Sequence, residues 1–116
     1  MKLPRHLLLG KGGPSIVLLN GAGARLGYWD RVQPGLAAMA ATLAYDRRVP
    51  EDPSRPDFGA ATVRELRGLA AALGLAPPFL LVAHSMGGLY ANLHARMFPR
   101  EVAGVVLVDS THPEQE

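Results

Sequence analysis

The sequence has 116 residues, 48% hydrophobic and 19% charged, with a formal net charge of +2; this excludes a disordered chain and bounds it to one domain with a single core. Its Lys and Arg residues are scattered, Arg47-Arg48 being the only adjacent pair, so it lacks the clustered basic surface that phosphates require and no nucleic-acid partner is expected. The absence of cysteine excludes disulfides, thiolate catalysis and cysteine-ligated zinc together.

In chain order, "MKLPRHLLLGKGGP" has a positive start, but its apolar part is only Leu7-Leu8-Leu9, too short for a signal-peptide core, and neither strand nor helix is assigned to it. "PSIVLLN" (Pro14 to Asn20) is a short continuous apolar run between Gly-Gly-Pro and Gly-Ala-Gly, as a fully buried strand reads. From Tyr28 to Ala41 the apolar positions Trp29, Val32, Leu36 and Met39 keep a helical spacing, with Pro34 in the first turns, where it is tolerated best. "ATLAYD" reads as a second strand and the Pro-rich "RRVPEDPSRPDFG" as a loop. The nearly apolar run Leu36 to Tyr45 falls well short of the roughly 20 residues a membrane span needs, so no membrane partner and a soluble cytoplasmic protein are expected.

From Ala60 a helical stripe of Val63, Leu66, Leu69 or Ala70, and Leu73 is closed by Gly74. "FLLVAH" (Phe79 to His84) is the next strand, Met86 to Phe98 a helix stopped by Pro99, and "VAGVVLVDS" (Val102 to Ser110) the last strand. Alternating strands and helices predict an α/β fold, a parallel sheet with helices on both faces, whose functional loops lie at the carboxyl ends of the strands.

At one such end Ala83-His84-Ser85-Met86-Gly87 matches the strand-turn-helix elbow G-x-S-x-G with alanine in the first small position. Small flanks are needed because the serine takes a strained backbone conformation at a sharp corner, which exposes its Oγ while amides of the next helix point into the same space. The plain alternative is that Ser85 caps that helix.

Several segments together resemble the N-terminal half of the α/β-hydrolase fold family. "IVLLNGAGA" is similar to that family's third strand and oxyanion loop, "YWDRVQPGLA" to the helix after it, "LAYDRR" to the fourth strand, "FLLVAHSMGGLYA" to the fifth strand and elbow, and "VAGVVLVDS" to the sixth strand. The resemblance implies a partial three-layer α/β/α domain over residues 1–116, a serine hydrolase that transfers an acyl group from a small ester-like substrate to water, with Ser85 as nucleophile and the backbone N–H groups of Met86 and Ala22 as oxyanion donors. No metal and no cofactor is implied. Asn20 stands where the family usually has histidine, and Val49-Pro50 where it commonly has glycines.

The family's triad continues with an acid and a late histidine, and the sequence stops just past the sixth-strand equivalent, so the catalytic histidine segment is expected to be missing. His6 and His94 read as ordinary residues, and His84 as a supporting one. His112 with Asp109 is the one base and acid pair the chain offers, on a charged tail that does not fix geometry. Activity of the chain alone is then expected to be weak or absent, and the last strand, apolar on both faces yet at an edge, invites self-association. Two other readings are a silent binding module on the same half-sheet and a dinucleotide domain. The latter would use Gly21-Ala22-Gly23 and Asp46, but Leu26 stands where a third glycine belongs.

Overall fold

The apolar runs form a five-stranded sheet in the order β1-β3-β2-β4-β5. The strands are β1 His6–Leu9, β2 Ser15–Leu19, β3 Thr42–Tyr45, β4 Phe79–His84 and β5 Val102–Val108, and the α-helices are α1 Gln33–Ala37, α2 Phe58–Ala72 and α3 Gly87–Met97. These come from a computed structural model that describes residues 3–21, 24–48 and 58–108. Pairings β2 with β3, β2 with β4, and β4 with β5 are parallel.

Residues of β2 and β4 alternate between two cores. Val17, Leu19, Phe79, Leu81 and Ala83 join Leu66, Leu69 and Ala70 of α2 and Ala91 of α3 on one face. Ile16 and Leu18 join Trp29 and Ala40 on the other, with Leu36, Leu80 and Val82 packed against them. Helices therefore lie on both faces, as expected for three layers. Each of these fully buried aliphatic side chains stabilises the fold by about 1.5–3 kcal/mol. Among the described residues no helix is long and apolar enough to cross a membrane.

Helix α2 follows its sequence stripe: Val63, Leu66, Leu69 and Ala70 are buried and Leu73 packs against the same core. Its end is set by Gly74 at φ 74°. The Gly74 amide bonds to Ala71 O and the Leu75 amide to Ala70 O, the paired bonds of a Schellman stop that only a left-handed residue closes without strain.

One expectation is extended and one corrected. The sheet is not wholly parallel, because His6–Leu9 in the unassigned N-terminal segment pairs antiparallel with β3. The buried Gln33 amide donates to Leu7 O at 3.0 Å and to Thr42 O at 2.9 Å, tying that edge strand to its neighbour. The helix expected over Tyr28 to Ala41 is instead a 3₁₀ turn, Leu26–Trp29, followed by the short α1. Pro34 lies in the first two positions of α1; lacking an amide and crowding the preceding turn, it can begin a helix there but not continue one.

Strand β5 lies at the sheet edge, and Val106, Leu107 and Val108 are 46%, 41% and 43% exposed. The apolar edge foreseen from the sequence is thus open over its last residues.

Candidate active site

Strand β4 ends at His84, and at Ser85 the backbone turns to φ 53°, the only positive φ of a non-glycine residue among the described residues. A left-handed conformation costs a residue with a Cβ about 1–2 kcal/mol. Helix α3 begins immediately afterwards, with Met86 at φ −60°, ψ −22° as its N-cap and no side-chain cap bond. Ser85 is therefore not the cap, which would have an extended backbone and a hydroxyl bonded into the first turn. Its side chain is half-buried at the carboxyl end of the sheet.

The sharp corner explains the small neighbours. A Cβ on Gly87 would stand 2.4 Å from Leu19 O and 2.9 Å from Asn20 O, so α3 starts in direct contact with the backbone of β2 and the residue after it. A Cβ on Gly21 would stand 2.9 Å from Ser85 Cβ and 3.5 Å from Ser85 Oγ. The turn after β2 and the corner after β4 thus meet backbone against side chain, which only glycine permits at this range.

The turn after β2 is held from several sides. Asn20 is buried; its amide nitrogen donates to Ala24 O and Tyr45 O, both at 3.3 Å, and its Oδ1 accepts from Trp29 Nε1. Arg47 Nη1 donates to Asn20 O at 2.6 Å and Nη2 to Gly21 O at 3.2 Å. Asp46 accepts from the Leu26 amide through Oδ1 at 2.6 Å, and its Oδ2 lies 3.7 Å from Arg25, so its carboxylate faces the loop. Ala22, the expected second oxyanion donor, lies outside the described residues, as do Gly23, Val49 and Pro50 of the motifs above. Met86, the other expected donor, directly follows the strained serine.

The three histidines among the described residues differ in what they touch. His6 Nδ1 lies 2.8 Å from Pro4 O. The His84 ring stacks on Tyr28, centroids 4.7 Å apart, with Nδ1 toward the Gly21 turn. Buried His94 holds Nε2 at 3.0 Å from Glu101 Oε1, which makes that nitrogen the protonated one. Asp109 and His112 lie outside the described residues.

Glu101 also takes a forked pair of bonds from Arg67, Nε to Oε1 at 3.0 Å and Nη2 to Oε2 at 3.0 Å, while Arg67 lies 3.8 Å over the Phe98 ring. The Arg67 hydrogen bonds, and those from His94 against an opposing effect of burial, hold the Glu101 carboxyl below its ordinary 4.5. A carboxyl lowered on folding stabilises the fold fully above its unfolded pKa and loses that contribution as pH falls below it. Glu101→Gln is expected to cost about 1–2 kcal/mol near neutral pH and to flatten the loss of stability below 4.5, as read by urea midpoints at neutral and acid pH.

Neither Arg47 nor Tyr28 is marked by its neighbours in the chain as belonging to this site. In the sequence Arg47 belongs to the one adjacent basic pair and to the fourth-strand segment "LAYDRR", and Tyr28 begins the expected helix.

The model of the alpha/beta hydrolase family matches residues 16–115. A 1-acylglycerol-3-phosphate O-acyltransferase of Arabidopsis thaliana is 31% identical over 86% of this chain and 26% of its own length. Among solved structures, an esterase from Thermogutta terrifontis superposes with TM-score 0.81 at 25% identity, covering 96% of this chain and 42% of that one. Cfl2 from Burkholderia cenocepacia gives 0.78 at 28% identity, covering 96% and 40%. The chain spans less than half the length of each of these relatives.

Proposed function

Because the chain belongs to the alpha/beta hydrolase family, we propose that it carries the nucleophile and oxyanion part of a serine hydrolase acting on small ester-like substrates. Ser85 Oγ attacks the carbonyl carbon, the C–O bond to the leaving group breaks, and water later releases the acyl group from the serine. The Met86 and Ala22 amides receive the negative charge on the carbonyl oxygen. The observation that carries this reading is the φ of 53° at Ser85, a costly conformation that lifts a hydroxyl out of the strand and that a serine with no chemical task would not need.

The similarity to an esterase and to an O-acyltransferase, by their names both proteins that move acyl groups, supports acyl transfer as the reaction class. Water is the acceptor in this reading, following the esterase, whose backbone superposes over nearly the whole chain. The proton leaving Oγ needs a base within hydrogen-bond reach. His6 and His94 bond elsewhere and the His84 ring stacks on Tyr28 with its buried Nδ1 unpartnered among the described residues; this reading assigns the base and its orienting acid to residues outside these. Until that base is in place the hydroxyl is poorly activated and turnover is slow. The exposed end of β5 is the surface through which the chain would self-associate.

Incubation with a fluorophosphonate, followed by intact-protein mass, tests the reading after size exclusion at two concentrations has defined the species present. One covalent adduct on the wild type, formed slowly and only with excess reagent over a long incubation because the hydroxyl is poorly activated, and none on Ser85→Ala is the expected result. No adduct on a folded wild type overturns it and leaves a binding module on the same sheet.

A further inference from the structure

Asn20-Gly21 is the one asparagine-glycine step in the sequence. In an open chain such a step closes on itself readily, because glycine has no Cβ to shield its nitrogen or to restrict the approach of the preceding side chain. The Gly21 nitrogen attacks Asn20 Cγ and gives its proton to water. The bond from Cγ to Nδ2 breaks, and Nδ2 leaves as ammonia with a proton taken from water. A second water then opens the cyclic imide at one of its two carbonyls, which leaves aspartate or isoaspartate in place of the asparagine.

The fold opposes this closure. Asn20 is only 1% exposed, so water and ammonia have no free passage at its carboxamide. Both ends of that carboxamide are occupied as well: Nδ2 donates to Ala24 O and Tyr45 O, each at 3.3 Å, and Oδ1 accepts from Nε1 of the buried Trp29. The backbone oxygen of the same residue is held by Arg47 Nη1 at 2.6 Å. Swinging Cγ onto the next nitrogen withdraws the amide from these partners and leaves buried donors and acceptors unpaired, which is costly.

We propose that Asn20-Gly21 is a latent self-modification site, held shut by the fold and converted irreversibly when the turn after β2 opens. The product does not fit the place it leaves. An aspartate carboxylate has no N–H to give, so its oxygen would face Ala24 O and Tyr45 O, lone pair against lone pair, in a buried site. An isoaspartate lengthens the backbone by one carbon just before Gly21, where even an added Cβ would stand 2.9 Å from Ser85 Cβ. Time spent open is therefore written into the covalent structure, and the corner at Ser85 is not rebuilt on refolding. None of this chemistry depends on the task of Ser85.

The test follows the exchange of NH2 for OH at Asn20, and its isoaspartate content, by peptide mass at mildly alkaline pH. Wild type in guanidinium chloride should convert at least about a hundredfold faster than in buffer, while Asn92, which precedes Leu93 and not a glycine, stays intact in both. Trp29→Phe removes the donor to Oδ1 and should convert in buffer about tenfold faster than wild type. Should that variant fail to fold, wild type below its unfolding transition gives the same reading, the rate rising with denaturant as the turn opens. Asn20→Asp should melt at a lower temperature than wild type, and chains kept unfolded should lose the native melt in step with conversion. Equal rates in buffer and denaturant, no conversion in denaturant, or an Asn20→Asp protein as stable as wild type would overturn the proposal.

Discussion

Glycine in place of Ser85 is expected to make the protein more stable while abolishing its covalent reaction with a fluorophosphonate. At φ 53° a side chain with a Cβ bears about 1–2 kcal/mol of steric cost. Glycine removes it at an entropic cost of about 0.5–1 kcal/mol in the unfolded chain. The net gain is about 0.5–1 kcal/mol, a rise of about 2–8 °C in melting temperature for a domain of this size. Alanine, which keeps the Cβ, should lose the reaction without the gain in stability. That contrast separates strain from chemistry: a hydroxyl that held the corner together through its own bonds would make both variants less stable. Thermal melts of the three proteins, run beside labelling, decide the matter.

The second large effect belongs to Gly87. An alanine there would bring its methyl within 2.4 Å of Leu19 O and 2.9 Å of Asn20 O. Neither atom can retreat, since Leu19 belongs to a strand paired on both sides and Asn20 is fixed by its contacts to Trp29, Tyr45 and Arg47. Helix α3 must move instead, at a cost of about 3 kcal/mol and a drop of about 12–24 °C in melting temperature. The internal control is Gly68→Ala in α2, where an added Cβ meets nothing within 4 Å. Relief of the helix penalty of glycine should there stabilise the fold by about 0.5–1 kcal/mol. Equal effects at the two positions would mean that the close approach at the corner matters little.

Much of the architecture was legible because burial imposes patterns that survive in one dimension. The run Phe79 to His84 became a strand with those same limits, since an unbroken apolar stretch that stops at a small-x-Ser-x-Gly corner has few other uses. The stripe through Val63, Leu66 and Leu69 gave the buried side of α2 for the same reason. Strand β1 escaped notice because Leu7-Leu8-Leu9 carries no signal of its own; what makes it a strand is pairing with β3 and an amide from Gln33, 26 residues away. The break before α1 was hidden because Val32, Leu36 and Met39 keep a helical spacing across a turn that Pro34 imposes.

At the site, Ser85 could be read from its neighbours, since the constraint of a tight corner is local. The meaning of Asn20 and Arg47 could not. Asn20 stood where histidine was looked for, and its work is to fasten a turn to Trp29 and Tyr45. Arg47 matters because sheet order sets β3 next to β2, which brings two carbonyls under one guanidinium, and no spacing along the chain encodes that adjacency.

The register of β4 against β5 ties the exposed sheet edge to the corner at Ser85. Leu80, Val82 and His84 lie opposite Gly104, Val106 and Val108 in a parallel pairing, so these six form a double file up one side of the sheet, greasy at its foot and ending at the imidazole beside Ser85. Any surface laid along that file to shield the valines must finish level with the imidazole, so that whatever keeps the sheet edge dry also touches the rim of the Ser85 corner.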